Sequence, residues 1–306
     1  MNSEITALSK MVILVRREFQ EQRIVFLYLP LFIVLLATIA FAVTAIRYYI
    51  LDFQFIGLVG NSAIVDSPYI DQTLLGFTER TPEEKENFWR IYYVQTLPIL
   101  YISFWGAMFY YFQMTLYSQR RDRSVLFWNS LPVNNTETIF SKLIAGFVLC
   151  LVIYMICLLA MQLFMLLILM IYGSMFDVSL WENFVAPSGI LPRFGRIMGY
   201  TFLAVFWCLP FYAWLLLTSA WAKSAPFAWA ILPIAFLIVC EVIFFGTGNM
   251  GRLFFEHSVP LDNMGLDPNS THTTSEWLFS GEMLASILLG AVFIYGAIRL
   301  NRSEDI

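Results

Sequence analysis

Residues 118–142 read SQRRDRSVLFWNSLPVNNTETIFSK and form a short polar segment between two long apolar runs. Four consecutive charged residues follow Ser118 and Gln119, namely Arg120, Arg121, Asp122 and Arg123. The apolar sequence VLFW follows at residues 125–128. A loop that only links two helices does not need these large apolar side chains. The pattern therefore predicts a docking surface at a membrane face.

The composition is that of a protein solvated by lipid. Of the 306 residues, 59% are hydrophobic and 13% are charged, whereas about a quarter of the residues in soluble domains are charged. The 29 Phe, 15 Tyr and 9 Trp are typical of a protein with aromatic belts at both membrane interfaces. The net charge of −4 says little about partners because the charges lie in separate blocks.

Apolar runs of roughly 20 residues, the length that crosses a bilayer, predict six transmembrane helices. They lie at residues 24–46, 96–117, 139–172, 194–220, 227–245 and 283–298. The third run is unusually long, so its first turns are expected to project from the membrane beside the 118–142 segment. Asn134, with Glu137 three residues later, predicts a capping box at the start of that helix. The predicted fold class is an all-α polytopic membrane protein.

Residues 1–23 predict an amphipathic helix that lies in the membrane interface, ahead of a six-span domain at 24–306. Its apolar residues recur at helical spacing: Ile5, Leu8, Met11, Val12, Val15 and Phe19. The charged residues lie mostly off this stripe: Lys10, Arg16, Arg17 and Glu18. An ordinary soluble helix is the alternative, and the span that follows immediately makes it the weaker one.

The basic residues predict that both termini are cytoplasmic. Eleven of the 18 Lys and Arg residues fall on the side of the termini, mostly in short segments that include 118–142. The outer loops are then 47–95, 173–193 and 246–282, which are long, and the first is acidic. Thr81 and Pro82 predict a helix start in the first loop, and the apolar residues of 250–255 predict a short interfacial helix in the last.

Sequence motifs for chemistry are missing. There is no G-x-x-x-x-G-K-[ST] phosphate loop, so the chain is not expected to bind and hydrolyse ATP by itself. The only histidines are His257 and His272, both in a predicted outer loop, which excludes a multi-histidine metal site. The acidic pair Glu83 and Glu84 lies in a charged loop and is interpreted as solvated surface. No metal, bound cofactor or nucleic acid is expected.

Glu241 is the one carboxylate well inside a predicted span. An ionisable residue there is a candidate functional site by default. It lies near the outer end of the fifth span, where it could reach water or Arg252, and a structural pair or hydrogen bond is slightly favoured over a role in transport. The rest of the midplane lacks the ionisable groups and matched halves of a secondary transporter. Energy for transport is therefore expected from a soluble partner.

The sequence RDRSVLFWNSLPV at 121–133, followed by Thr136-Glu137-Thr138 and Ser141-Lys142, resembles the type-2 exporter permeases of bacterial ATP-binding cassette transporters. The resemblance covers the whole chain in layout but only about 25 residues in motif. In that family an amphipathic N-terminal helix precedes six spans. The loop between spans two and three carries a cytoplasmic coupling helix that docks on the nucleotide-binding subunit.

The resemblance implies a permease subunit of the bacterial inner membrane with no enzymatic activity of its own. Two copies of this chain, or one copy and a similar permease, would enclose a pathway, with the homodimer as the expected form, and separate ATPase subunits would bind ATP and Mg²⁺. The residues that would seat the coupling element are Asp122, Ser124, Leu126, Phe127 and Trp128. The arginines that would pair with acidic groups on the ATPase, or with anionic lipid headgroups, are Arg120, Arg121 and Arg123.

Other interpretations remain open from the residues alone. The arginines are explained about equally well by the positive-inside rule, and anchoring at the interface is the weaker alternative for Phe127 and Trp128. A membrane anchor or sensor that does not transport would carry the same docking segment. An intramembrane enzyme, with Glu241 or the Glu83-Glu84 pair as its acids, is a third reading that lacks paired catalytic groups at one membrane depth.

Overall fold

The computed structural model of the protein describes residues 7–50, 81–122, 134–174, 179–258 and 280–303. Every regular element within these ranges is a helix, in agreement with the predicted all-α class. The α-helices are α1 (Ala7–Glu21), α2 (Leu29–Ile50), α3 (Pro82–Arg121), α4 (Asn135–Ile144), α5 (Leu151–Gly173), α6 (Ala186–Ser188), α7 (Ile190–Trp207), α8 (Leu209–Trp221), α9 (Pro226–Phe245), α10 (Asn249–Ser258) and α11 (Gly281–Ser303). Three π-helical segments interrupt them: π1 (Ile24–Tyr28), π2 (Ala145–Cys150) and π3 (Trp181–Val185).

Several helices are long and apolar enough to cross a membrane, so the chain is a membrane protein. Within the described residues they are Ile24–Thr44, Asn135–Ile171, Pro226–Phe245 and Gly281–Asn301. A pair of helices bent by 53°, Trp181–Trp207 with Leu209–Trp221, makes a fifth if it counts as one span. These stretches coincide with five of the six predicted runs.

The remaining predicted span, 96–117, lies within α3, a continuous helix of 40 residues with Pro98 in its interior. Its average hydropathy is lowered by residues such as Trp105, Tyr111 and Gln113, and all three are buried inside the protein. This composition reflects contacts with protein neighbours more than with lipid. The chain has six spans only if α3 also crosses the membrane, and this stays a prediction.

The helices extend into the predicted loops. α3 begins at Pro82, where the Thr81 backbone N–H donates to Glu84 Oε2 at 2.9 Å and the Glu84 N–H donates to Thr81 Oγ1 at 3.3 Å. This capping box confirms the predicted helix start, so the helix begins inside the stretch 47–95 that was predicted as an outer loop. The short helix predicted near residues 250–255 is confirmed as α10, and π3 and α6 occupy much of the predicted loop 173–193.

The chain divides into two compact units. One consists of Leu29–Tyr101 and Met155–Arg196. Its core is the buried cluster of Trp89, Leu166, Leu169, Phe184 and Ile190. At its edge Lys85 Nζ donates to Asn183 Oδ1 at 2.8 Å.

The other unit consists of Met1–Tyr28, Ile102–Tyr154 and Ile197–Ile306. Aromatic residues fill its interior: the Trp105 and Tyr212 rings stack at 5.8 Å, and the Phe112 and Phe147 rings meet at 4.7 Å. α8 and α11 approach closely, since a Cβ added to Gly290 would lie 2.6 Å from Leu209 Cγ. This unit contains both ends of the 123–133 segment.

Gly146, in π2, lies directly against the aromatic core of this unit. A Cβ at this position would overlap the Phe112 ring, coming within 2.7 Å of Cε2, and would lie 3.1 Å from Tyr111 Cε1. Both rings are fully buried, so a Cβ here would force buried side chains to shift. Gly106, on the exposed side of α3, would meet nothing within 4 Å.

We therefore expect Gly146→Ala to lower the free energy of unfolding by about 1–3 kcal/mol, the usual cost of overpacking a core. Gly106→Ala is the matched control and should leave stability unchanged or raise it by up to about 1 kcal/mol, because alanine is the better helix former. Thermal unfolding of the purified protein in detergent measures both. Equal effects of the two substitutions would contradict the close packing of π2 on Phe112.

Candidate functional site

A fully buried ion pair joins the N-terminal helix to the helix that follows the 123–133 segment. Lys142 Nζ, on α4, donates to Glu18 Oε1, on α1, at 2.9 Å. Both side chains are 0% exposed. The pair connects two residues that are 124 positions apart in the sequence.

Further donors surround the Glu18 carboxylate and complete a buried polar cluster. Arg17 donates to Oε1 at 2.6 Å, and the Tyr111 hydroxyl donates to Oε2 at 3.1 Å. Thr115 Oγ1 accepts a hydrogen bond from Lys142 Nζ at 2.9 Å and lies 3.4 Å from Glu18 Oε2. Because Tyr111 and Thr115 belong to α3, the cluster ties α1, α3 and α4 together.

The surroundings of Glu18 favour its ionised form. Burial by itself raises the pKa of this carboxyl, but the positive charges of Lys142 and Arg17 and the hydrogen bonds from both residues hold the pKa below its ordinary value of 4.5. The group is therefore a carboxylate at neutral pH. It is compensated in place by cations and by neutral donors.

α1 has two sides with different surroundings. Leu14 and Glu18 are buried against the protein, whereas Val12 and Ile13 are each 60% exposed. The sequence placed Glu18 mostly off the apolar stripe, and the structure corrects this, since Glu18 is among the most buried residues of the helix. Of the residues proposed for the interfacial role, Arg16 is exposed, and Lys10, Arg17 and Phe19 are half-buried.

The two ends of the 123–133 segment are both held by hydrogen bonds. On the side of α3, Arg120 donates to the backbone carbonyls of Ser219 and Ala222, at the C-terminal end of α8. On the side of α4, Asn134 forms the predicted capping box: its Oδ1 accepts from the Thr136 N–H at 3.4 Å, and its own N–H donates to Glu137 Oε2 at 3.1 Å.

The residues proposed for docking have different surroundings. Arg120 is half-buried, and its guanidinium is already engaged in hydrogen bonds inside the protein. Arg121 and Asp122 form a surface pair at 3.2 Å, and both side chains are 60% exposed. The others lie outside the residues that the structure describes, namely Arg123, Ser124, Leu126, Phe127 and Trp128.

Glu241 is engaged at the start of α10. Its carboxylate accepts hydrogen bonds from the Thr247 hydroxyl at 2.7 Å and from the backbone N–H groups of Asn249 and Met250 at 2.9 and 2.7 Å. Arg252, considered as a partner from the sequence, instead lies 3.5 Å from Glu256. The geometry is that of a helix N-cap and favours the structural reading of Glu241.

The buried pair was missed because the sequence analysis placed Glu18 mostly off the apolar stripe and treated Lys142 only as part of the predicted cytoplasmic segment. A signal was present in the spacing. Glu18 follows Leu14 by four residues and Lys142 follows Ile139 by three, and both apolar residues are buried, so each charge lies on the protein-facing side of its helix. Pairing these two charges with each other, however, required the tertiary structure.

We expect Glu18→Gln to lower the free energy of unfolding by about 3–5 kcal/mol, because it leaves the Lys142 ammonium buried without its carboxylate. Lys142→Met should cost less, since Arg17 still neutralises Glu18. The double variant should be more stable than the sum of the two losses predicts. Chemical denaturation in detergent micelles measures this cycle.

Asp122→Asn is the control for that cycle. It removes the acidic partner of an exposed pair, and a surface pair contributes less than about 1 kcal/mol. If Glu18→Gln proved as mild as Asp122→Asn, or if the effects at Glu18 and Lys142 simply added, the two residues would not form an energetically coupled pair.

The lowered pKa of Glu18 also predicts a pH dependence. The ionised form is favoured by folding, so its contribution to stability is present above pH 4.5, the ordinary value, and is lost as the pH falls through the lower pKa of the folded state. The unfolding midpoint of the wild-type protein should therefore fall more steeply below pH 4.5 than that of the Glu18→Gln, Lys142→Met double variant. Parallel profiles would show that Glu18 is not the group responsible.

A comparison of the chain with protein-family models, curated proteins and solved structures finds no match.

Proposed function

We propose that this chain is the permease subunit of a bacterial ATP-binding cassette transporter. A separate ATPase docks on the cytoplasmic segment 118–142 and drives a pair of permeases, with export as the expected direction. The observation that carries the proposal is that both ends of an apolar segment, 123–133, are fixed by contacts inside the protein. The sequence resemblance of this segment to the coupling region of type-2 exporter permeases supports the same function.

The first anchor is at the end of α3. The Arg120 guanidinium binds the last carbonyl groups of α8, where a cation is favourable because the helix dipole is negative there. Nearby, the Ser219 hydroxyl oxygen accepts from the backbone N–H groups of Leu116 and Tyr117 at 3.2 and 3.1 Å. A displacement of the segment would therefore act on α3 and α8 together.

The second anchor is at the start of α4. The capping box at Asn134 fixes the first turn, and Lys142, about two turns further on, is locked to Glu18. A displacement of the segment would therefore also act on α1. Anchors at both ends suit a segment that transmits force, and a simple linker does not need them.

The lengths of the helices leave room for a partner outside the membrane. α3 has 40 residues and the continuous helical stretch Asn135–Ile171 has 37. At 1.5 Å per residue these helices are about 60 and 55 Å long, whereas the hydrocarbon core of a bilayer is roughly 30 Å thick. Both helices flank the 123–133 segment, so this excess length is suited to carrying the segment out to a soluble subunit.

The hydrogen bonds of the Glu241 carboxylate favour a permease over an intramembrane enzyme. All three of its hydrogen bonds go to groups at the start of α10, which is a capping arrangement. In the part of the chain that the structure describes, no three His, Cys, Asp or Glu residues group to hold a metal ion. In this proposal the chain is the membrane scaffold, and the partner subunit hydrolyses ATP.

Phe127→Ala combined with Trp128→Ala tests the docking. We expect the variant to insert into the membrane at the wild-type level but to lose co-purification of the ATPase subunit that the wild-type chain retains, because the aromatic anchors of an interface carry much of its binding energy. Affinity purification of the tagged chain, co-expressed with that ATPase, measures the stoichiometry.

The matched control is Phe244→Ala combined with Phe245→Ala, which removes two adjacent aromatic side chains that are 76% and 77% exposed at the other end of a predicted span. This control should retain the ATPase. Full stoichiometry in the Phe127, Trp128 variant, or equal loss in both double variants, would contradict docking at the 118–142 segment.

A further inference from the structure

We infer that π1 and π2 are hinges, and that α1, α4 and the last turns of α3 move about them as one body held together by the Glu18–Lys142 pair. We call this body the clamp. The inference concerns motion inside the chain and does not require the partner to be an ATPase.

The two π segments lie immediately beyond the two helices that the ion pair joins. α1 ends at Glu21 and π1 begins at Ile24, while α4 ends at Ile144 and π2 begins at Ala145. Both π segments are followed by long apolar helices, α2 and α5. The hydrogen-bond register therefore changes at the start of the candidate span Ile24–Thr44, where π1 lies, and inside the candidate span Asn135–Ile171, where π2 lies.

Such changes of register are weak points of a helix. A π segment has one extra residue in its turn, is rarely stable by composition alone, and recurs at functional positions. At the start of π1 the Gln22 carbonyl accepts from two N–H groups, those of Val25 at 3.1 Å and Phe26 at 3.0 Å. The Val25 carbonyl accepts from the Tyr154 hydroxyl at 3.2 Å. A side chain thus serves a backbone group within π1.

Both π segments rest on adjacent residues of α3. The Phe26 ring of π1 is fully buried and lies 4.9 Å from the Tyr111 ring, between centroids. Gly146 of π2 faces the Phe112 ring, as its lack of room for a Cβ shows. This single turn of α3 therefore supports both hinges.

The same turn of α3 is bonded to the clamp. The Tyr111 hydroxyl donates to Glu18 Oε2, and the Lys142 backbone carbonyl also lies within its reach at 3.3 Å. One residue thus contacts π1 through its ring and both members of the ion pair through its hydroxyl. This arrangement holds α1 and α4 together while leaving the bends to the π segments.

In both helices the buried ion pair is thus followed by a π segment, where the backbone hydrogen bonds are irregular. On one side of each π segment is the charged cluster, in which Glu18 and Lys142 are fully buried, and within each π segment the regular α-helical hydrogen bonds are replaced. A force applied to α4 would be carried to α1 through the ion pair. The bending would occur at π1 and π2.

Spin-label distance measurements on the full chain in lipid nanodiscs test this inference. The four native cysteines, Cys150, Cys157, Cys208 and Cys240, are replaced by alanine. One label pair lies within the clamp, Val12→Cys with Phe140→Cys, and the other spans π1, Val12→Cys with Leu36→Cys. All three labelled side chains are largely exposed, at 60%, 46% and 52%, and both pairs share the Val12 label.

We expect the distance distribution of the pair across π1 to be about twice as wide as that of the pair within the clamp, as a hinge requires. Adding Lys142→Met, which keeps Glu18 neutralised by Arg17, should widen the clamp distribution. Equally narrow distributions would show that π1 is not a hinge. A clamp distribution as wide as the hinge distribution in the otherwise wild-type chain would show that α1 and α4 do not move together.

Hydrogen exchange measured by mass spectrometry on the wild-type chain in lipid nanodiscs tests π2. The amides of Ala145–Cys150 should exchange about tenfold faster than those of the flanking α4 and α5, because local opening is easier there. Equal protection across α4, π2 and α5 would overturn the assignment of π2 as a hinge. Neither measurement involves the ATPase, so the docking proposal and this one can fail separately.

Discussion

The Glu18–Lys142 ion pair is the constraint on which the rest of the N-terminal architecture depends. Removing two charges from water costs several kcal/mol per ion, and their attraction offsets this cost only where the geometry is good and every remaining donor and acceptor is satisfied. Here the carboxylate is served by Arg17, Lys142, Tyr111 and Thr115. α1, α3 and α4 must be in one register for all of them to meet. We interpret the pair as a device that specifies this register more than one that adds stability.

The same logic governs the other polar groups in this apolar chain. Polar side chains outside the Glu18 cluster also find their partners within the protein. Arg120 finds the carbonyls at the end of α8, and Glu241 finds the N–H groups at the start of α10. Each of these side chains bonds a helix terminus, which is where backbone groups lack partners. The scarce charges of this sequence therefore fix helix ends and helix pairs.

Local patterns in the sequence predicted the features that local physics determines. Five of the six apolar runs correspond to helices able to cross a membrane or to the bent pair. The capping signals at Thr81 and Asn134 mark helix starts, because each is complete within four residues. The sequence did not predict features that depend on contacts between residues far apart in the chain. The burial of Glu18 and Lys142, separated by 124 residues, follows from packing that no sequence window contains.

α3 illustrates a second kind of difference. Polar and aromatic residues such as Trp105, Tyr111 and Gln113 lower the average hydropathy of the 96–117 run, and in the structure all three are buried inside the protein. Tyr111 is a polar residue in a hydropathy sum, yet in the structure it is fully buried and holds the ion pair. A hydropathy value describes the preference of an isolated residue for water or an apolar solvent. It does not include the hydrogen bonds that the residue forms with its neighbours in the fold.

The magnitudes of these interactions determine where the chain would bend under load. Pulling α1 from α4 would strand a buried charge at a cost of about 3–5 kcal/mol, whereas loosening one backbone hydrogen bond in π1 or π2 costs about 0.5–1.5 kcal/mol. A force on the 123–133 segment is therefore expected to bend the helices at the π segments before it separates the ion pair. For this reason the buried pair and the two irregular segments have to be understood together. The pair makes the force common to α1 and α4, and the π segments allow α2 and α5 to respond to it.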